Sequence, residues 1–504
     1  MMAATKLEQN RMLSILLADL CQVPAEIDQE VKGLCADSRN VQPGDLFFAC
    51  AGQTVHGLEF VEAAINAGAE IILWEASPNI ESLPLSWRES PDGNRIPLLA
   101  VPQLSLQVGV IADRFYGQPS TQMFTVGITG TNGKTSCSQF LADVLTAKGQ
   151  CGVIGTLGRG LHGKLDETQH TTPDALTCHR LLADMNEAGA KNAVMEVSSH
   201  ALDQGRVNAV AFNCAVFTNL SRDHLDYHGD MESYGEAKRK LFSFPGLEMA
   251  VINKDDDFGE TLIQTLPKDI KVMSYGMQKS ADIIASDITL SQTGLCCHVT
   301  TPMGEGELKA SILGRFNISN LLAVLGVLLL KGESLEQALS DLSQVKPVPG
   351  RMECVVKAGA PLIVIDYAHT PDALEQVLKA VREHCENKLI CVFGCGGDRD
   401  QGKRSIMGTI ADQYADEIIL TNDNPRTESA ETIIEQIKQG ITKHADVIVE
   451  QDRAKAISIA INRASAGDAV LIAGKGHEDY QIIGTEKRSF SDIEEVKKSM
   501  GLSQ

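Results

Sequence analysis

One junction constrains the fold more than any other part of the chain. An apolar run at residues 123–128 leads into Gly130-Thr131-Asn132-Gly133-Lys134-Thr135-Ser136, beyond which a helical pattern begins. A strand, a glycine-rich turn and a helix in immediate succession frame a phosphate-binding loop. The glycines let backbone N–H groups turn toward polyphosphate, Lys134 can neutralise terminal phosphate charge, and the Thr135 hydroxyl can reach Mg²⁺ at the helix N-terminus. Gly130, Thr131, Asn132, Gly133, Lys134, Thr135 and Ser136 are therefore the expected nucleotide-binding residues, with ATP or GTP as ligand. The strict motif would put glycine at position 128, where this chain has Ile128; its glycines fall at 127, 130 and 133, which points away from common GTPases. The bland alternative is a strand-to-helix turn that binds nothing, and Lys-Thr at the required offset weighs against it.

With 504 residues the chain exceeds one typical hydrophobic core, and about three domains are expected. The boundaries predicted are 1–103, 104–347 and 348–504. A formal charge of −21 argues against nucleic acid and against anionic membrane surfaces, so any anionic substrate needs individually placed Lys and Arg. The longest apolar stretch, residues 321–330, is about half a bilayer span, and Glu8 and Asp19 stand where a signal sequence would be basic. These features predict a cytoplasmic protein without membrane insertion, and a monomer is the default expectation. Thirteen cysteines without paired CxxC units read as reduced, mostly buried thiols rather than a zinc site.

The fold class expected is α/β. Residues 1–103 mix short strands and turns, including apolar 46–48. Apolar strands at 123–128, 192–197 and 213–218, followed by a helix over 232–242, predict a mostly parallel central sheet. Residues 345–350 carry two prolines and a glycine and read as a linker. Beyond them, strands at 362–365, 389–393, 418–420 and 469–473 predict a second doubly wound domain. Polar clusters follow these strands, where open parallel sheets bind ligands: Asp366-Tyr367-Ala368-His369, Gly396-Gly397-Asp398-Arg399, Asp423-Asn424-Pro425-Arg426 and Gly474-Lys475-Gly476-His477-Glu478.

Glu196 closes one central strand, so its carboxylate should project at the rim where the phosphate loop opens. It is a candidate Mg²⁺ ligand, since Mg²⁺ is usually held by few carboxylates plus substrate phosphates. A second strand leads into Thr218-Asn219-Leu220 and then Asp223-His224-Leu225-Asp226-Tyr227-His228-Gly229, adding oxygen and imidazole groups. Either histidine could equally be a cap or turn residue.

GTNGKT, MEVSSH, TNLSRDHLDYHG, YGEAKRKLF, GRFNISN, PGRME and DYAHTPD occur in an order and spacing that resembles the Mur ligases, the ATP-dependent amide-forming enzymes of peptidoglycan precursor synthesis. The resemblance spans nearly the whole chain. It implies a small N-terminal α/β domain for a UDP-linked substrate, a central P-loop ATPase-like domain and a C-terminal Rossmann-like domain for an amino acid. It further implies metal-site roles for Thr135, Glu196 and His224, and contacts to ATP by Asn317, Arg351 and Asp366. Lys238 matches the lysine that the family carbamylates with CO₂. Carbamylation needs a neutral amine, whereas the residues around Lys238 read as an ordinary solvated helix.

The resemblance also implies substrates. Asp423, Asn424, Pro425 and Arg426 resemble the signature of ligases adding meso-2,6-diaminopimelate to UDP-N-acetylmuramoyl-L-alanyl-D-glutamate. A guanidinium can grip the distal carboxylate that distinguishes this amino acid from lysine. Arg399, Gly474 and Glu478 match further amino-acid contacts, and Ser38, Gln53, Thr54, Thr171, Thr172, Ser198, Gln204 and Arg206 match positions used for the UDP-muramoyl dipeptide. Ser38, Thr171 and Thr172 also suit helix caps. A sibling ligase adding L-lysine and a nucleotide-driven switch on the same fold are the alternatives.

Overall fold

The computed structural model describes residues 11–52, 55–76, 85–168, 170–291, 293–355, 357, 359–442 and 447–502. The chain divides into two compact units, Met1–Met273 and Ser274–Gln504.

The first unit opens with β1 (Gly33–Cys35), β2 (Asp45–Ala49), β3 (Ile71–Ala76), β4 (Leu85–Glu89) and β5 (Arg95–Pro102), ordered β1-β2-β3-β5-β4. All pairs are parallel except β4 with β5. Every residue of β2 is buried because side chains alternate between two covered faces. Leu46 and Phe48 join the core of helix Leu104–Phe115, while Phe47 and Ala49 join that of helix Val61–Asn66.

A larger sheet follows in the same unit. It contains β6 (Phe124–Thr129), β7 (Cys151–Gly155), β8 (Gly158–Leu161), β9 (Lys164–Asp166), β10 (Asn192–Glu196), β11 (Cys214–Phe217) and β12 (Met249–Asn253). Parallel strands run in the order β12-β11-β6-β10-β7, and β8 and β9 extend the edge antiparallel. Gly127 lies within β6, where a Cβ would come 2.9 Å from the Phe212 ring and 3.1 Å from Leu241. Its missing side chain serves strand packing. The turn itself is made by Gly130 and Gly133, both at positive φ.

β13 (Lys271–Gly276) carries the chain from the first unit to the second. There, β14 (Ile283–Ser291), β15 (Gly294–Thr301) and β16 (Gly304–Ala310) form an antiparallel meander. The expectation of a mostly parallel pattern missed it. Residues 321–330 belong to helix Phe316–Leu330, 12 of whose residues are buried all round. No helix among the described residues is long and apolar enough to cross a membrane.

The second unit's main sheet comprises β17 (Glu353–Val355), β18 (Leu362–Asp366), β19 (Leu389–Phe393), β20 (Glu417–Leu420), β21 (Ile448–Val449) and β22 (Ala469–Ala473), ordered β17-β18-β22-β19-β20-β21. All pairs but β17 with β18 are parallel. A hairpin of β23 (Tyr480–Ile483) and β24 (Glu486–Ser489) precedes helix Asp492–Ser499. Buried His384 ties this region to the meander. Its Nδ1–H donates to the Ser291 carbonyl at 2.6 Å while Nε2 accepts from Gly314 N–H at 2.8 Å, and burial holds its pKa below the usual histidine value.

The last helix is anchored by an ion pair with no solvent exposure at either end. Arg453 Nε and Nη2 donate to Asp492 at 2.7 and 2.8 Å, and Nη2 also reaches the Ala473 carbonyl at 3.0 Å. Removing one partner strands the other charge in the interior. Asp492→Ala is expected to lower unfolding free energy by about 3–5 kcal/mol, read as a shifted urea midpoint; an unmoved midpoint would contradict this role.

Candidate active site

β6 delivers the chain to Gly130, whose φ of 149° is open to glycine and where a Cβ would collide with Thr218 Oγ1. The turn is braced from the end of β11. Asn219 accepts from Thr131 N–H (2.8 Å) through its carbonyl and from Asn132 N–H (2.9 Å) through Oδ1, while Thr218 Oγ1 donates to the Asn132 carbonyl at 2.6 Å. Lys134, at the first turn of helix Lys134–Thr146, folds back so that Nζ donates to the carbonyls of Gly130 and Thr131, both at 2.8 Å. Ser136 is buried in that same turn.

Glu196 ends β10 with no solvent exposure. A buried carboxylate must be satisfied by donors, and here three residues supply them. Thr135 Oγ1 donates to Oε2 at 2.9 Å, Thr156 donates through N–H and Oγ1 at 2.9 and 3.0 Å, and Ser138 Oγ lies at 3.4 Å. Thr156, which sequence reading missed, also reaches Thr171 Oγ1 at 3.0 Å. Among the described residues no trio of His, Cys, Asp or Glu could hold a metal ion. The rim instead offers one carboxylate beside one hydroxyl, the sparse donor set that suits Mg²⁺ completed by phosphate oxygens.

Thr172 is buried but caps no helix. Its Oγ1 donates to the Glu196 carbonyl at 2.7 Å and accepts from Ser198 N–H at 3.1 Å, so it stitches the rim beneath the carboxylate. Ser198 is the cap, accepting from Ala201 N–H at 3.1 Å at the start of helix Ser199–Asp203. Arg206 donates to the Thr172 carbonyl at 3.0 Å and grips Gln204 Oε1 with Nε and Nη2 at 2.9 and 2.6 Å. Thr171, Thr172, Ser198, Gln204 and Arg206 thus form one connected network. Ser38 occupies a turn after β1, between Asp37 and Arg39, which pair with each other in solvent at 2.6 Å. Gln53 and Thr54 lie outside the described residues.

His224 is half-exposed at positive φ, with its ring 4.9 Å from His200 and 6.1 Å from Tyr234. Tyr234 is buried, and its hydroxyl meets Thr131 Oγ1 at 3.2 Å, so the helix Met231–Arg239 touches the phosphate loop. One turn further along that helix, Lys238 is 1% exposed with Nζ 4.2 Å above the Tyr234 ring. The solvated-helix reading of Lys238 is overturned. Burial, assisted by the nearby Lys134 charge, pushes its pKa down to about 6, so a neutral amine is accessible near pH 7.

In the second unit the functional candidates again follow strand ends. Asp366 ends β18 and accepts from Met352 and Ala368 N–H at 2.7 and 2.8 Å; burial raises its pKa, opposed by the Arg351 charge and those bonds. Arg351 lies 5.2 Å over the Tyr367 ring. Asn317 donates to the Leu313 carbonyl at 2.7 Å and accepts from Asn320 at 2.8 Å.

Beyond β19, β20 and β22, three loops interlock. Arg426, at φ 51°, donates Nη1 to the Gly397 carbonyl at 2.8 Å, and Gly397 N–H donates to the Asn424 carbonyl at 2.9 Å. Asn424 Nδ2 donates to Glu478 at 3.2 Å, and fully buried Lys475 donates to both Glu478 (2.9 Å) and Asn424 Oδ1 (3.3 Å). At Gly474, φ 117°, a Cβ would stand 2.6 Å from Asp423 Oδ2. Pro425 is buried, whereas Arg399 is exposed. Cys395, on the same loop as Arg399, is buried with its sulfur 3.7 Å from that of Met407, and burial pushes its pKa up to about 12.

Family models match three stretches of the chain: the Mur ligase family catalytic domain at 30–116, the Mur ligase middle domain at 128–328 and the Mur ligase glutamate ligase domain at 350–476. The chain belongs to the Mur ligase family. It has the three-part fold of that family. A relative from Coxiella burnetii, named UDP-N-acetylmuramoyl-L-alanyl-D-glutamate--2,6-diaminopimelate ligase, is 49% identical over 94% of this chain and 96% of its own. A Pseudomonas aeruginosa relative of the same name is 47% identical over 94% and 96%. A solved structure of a ligase bearing that name superposes with a TM-score of 0.74 at 35% identity, covering 97% of this Mur ligase and 98% of that chain.

The burial of Lys238 has a measurable signature. Between about pH 6 and 10.5 the unfolded chain binds one more proton at this site than the native chain, so native stability rises with pH across that window. In CO₂-free buffer without nucleotide or metal, Lys238→Met is expected to abolish this component of the stability–pH curve. Superimposable slopes for the two proteins over that window would show that Lys238 is solvated.

Proposed function

We propose that this Mur ligase joins meso-2,6-diaminopimelate to UDP-N-acetylmuramoyl-L-alanyl-D-glutamate, consuming ATP and yielding the UDP-N-acetylmuramoyl-tripeptide, ADP and phosphate in the cytoplasm. We retain residues 1–103, 104–347 and 348–504 as the domains serving the UDP-substrate, ATP and the amino acid. The observation that carries the acceptor assignment is the setting of Arg426. One guanidinium nitrogen is fixed to the Gly397 carbonyl, and no other side-chain bond of Arg426 occurs among the described residues. The remaining fork suits a carboxylate, and the nearby Glu478 suits an ammonium. Lysine lacks the distal carboxylate and would leave a desolvated cation unpaired, a contrast that can reject an analogue by roughly 10⁴-fold.

The loop N–H groups and Lys134 hold the ATP phosphates, with Asn317, Arg351 and Asp366 as further nucleotide contacts. Thr135 and Glu196 hold Mg²⁺, and His224 is the candidate imidazole of the metal site. Bound Mg²⁺ supplies charge neutralisation for the transferred phosphoryl group. The neutral Lys238 amine, kept from water, attacks the CO₂ carbon while one C–O π pair moves onto oxygen, and the N–H proton passes to solvent. A carbamate anion then stands where a protonated lysine would be a cation, and it would be able to hold a second Mg²⁺. Thr171, Thr172, Ser198, Gln204 and Arg206, with Ser38, Gln53 and Thr54, hold the UDP-linked substrate. Its glutamyl carboxylate takes the γ-phosphoryl group to become an acyl phosphate. The acceptor amine, oriented by Asp423, Asn424, Arg426, Arg399, Gly474 and Glu478, then attacks that acyl carbon, and phosphate leaves. Proximity and fixed charges supply the rate enhancement.

The direct test is phosphate release with ATP, Mg²⁺ and the UDP-dipeptide, comparing meso-diaminopimelate with L-lysine and weighing the product by mass spectrometry. Turnover with diaminopimelate alone is expected. Turnover with lysine would assign a sibling ligase, and hydrolysis independent of any amine would assign a nucleotide switch. Arg426→Ala is expected to lose use of diaminopimelate while sparing ATP binding. Lys238→Ala is expected to lose ligation and recover part of it with added short carboxylic acids; full activity without them would refute the carbamate.

A further inference from the structure

We infer that Arg404 is a positioning residue for the acceptor site: a buried guanidinium that locks the loop carrying Arg399 to the loop carrying Arg426 without itself facing the amino acid. The inference rests on the acceptor-site reading above. Arg404 lies on helix Gly402–Tyr414 with no solvent exposure, although Lys403 and Ser405 beside it give its sequence the look of a solvated turn.

Its contacts run in both directions. Nη2 donates to the Gly396 carbonyl at 3.1 Å, on the Arg399 loop. Nη1 and Nη2 donate to the two carboxylate oxygens of Glu428 at 2.8 and 3.1 Å, two residues beyond Arg426, and Nη1 also reaches Gln436 on the following helix. Glu428 returns the link, accepting from Asp398 N–H at 2.6 Å. Asp398, at φ 54°, in turn accepts from Thr427 N–H and Oγ1 at 3.1 and 2.9 Å. The two loops are therefore cross-linked on both sides of Arg426. Arg404 Nε is buried without a hydrogen-bond partner among the described residues. Leaving a donor unmet is tolerated only where the other bonds dictate the placement.

A planar fork explains why arginine stands here. A carboxylate and a carbonyl from different loops must be met together, at angles that the point charge of a lysine ammonium cannot satisfy. Loosening the clamp would let the Arg399 and Arg426 loops move independently, and displacement of a substrate-binding group by about 1 Å can cost on the order of 10²-fold.

Steady-state kinetics of the full-length protein with Arg404→Met, Arg404→Lys and Glu428→Gln test this. Arg404→Met is expected to raise KM for meso-diaminopimelate by about 10- to 100-fold, with KM for ATP unchanged and kcat at saturating acceptor nearly retained. Arg404→Lys should fall between it and wild type. Glu428→Gln keeps the shape and removes the charge, and should raise the acceptor KM several-fold even if Arg404→Met does not fold. A purely structural role would instead lower kcat through lost active enzyme and leave the acceptor KM alone; that result, or equal shifts in both KM values, overturns the inference. Wild type run in parallel separates the two failures. If wild type uses a different amine the substrate assignment falls and the KM split on that amine decides the clamp, whereas no amine-dependent turnover would remove both.

Discussion

A carboxylate with no solvent exposure governs the central sheet. Glu196 closes β10 at the point where β6 opens into the phosphate loop, and donors from the loop helix and from the residue after β7 must converge on it. Because an unsatisfied buried carboxylate is costly, these elements cannot shift separately. The placement of Thr135, and with it the first turn of the nucleotide helix, follows from that requirement. Gly155 shows how tight the arrangement is, since a Cβ there would run into the Glu196 side chain. The same carboxylate that suits Mg²⁺ therefore also sets the register of the rim.

The second unit uses charge in a related way. Arg404, Arg453 and Lys475 are all withdrawn from solvent, and each is met by a carboxylate: Glu428, Asp492 and Glu478. Such pairs contribute little net stability over apolar packing but strongly disfavour any arrangement that separates them. In a chain of net charge −21, these few interior cations sort loops into one geometry. Arg426 stands apart from them, with most of its fork uncommitted.

Much of this was legible from sequence where burial on both faces leaves a continuous apolar run. β19 and β22 occupy residues 389–393 and 469–473 as expected, and β6 is displaced by only one residue because Thr129 continues the buried strand into the turn. Polar clusters placed after those runs do lie at strand ends. The meander β14–β16 escaped notice because its strands are half-exposed and carry polar residues that break any apolar run. Gly127 looked like part of the phosphate turn when its real partners, Phe212 and Leu241, are remote in sequence. Lys238 and Arg404 were hardest to read: each sits beside another cation, which suggests solvent, and only tertiary packing buries them.

The sequestration of Cys395 has a consequence of a different kind. Its thiol, on the loop that carries Arg399, is packed into the core against Met407 and kept protonated by burial, so electrophiles have almost no thiolate to capture while the loop is in place. Alkylation at this position then becomes a clock for transient opening of the loop. A native cysteine, with no introduced label, records how often that loop breathes.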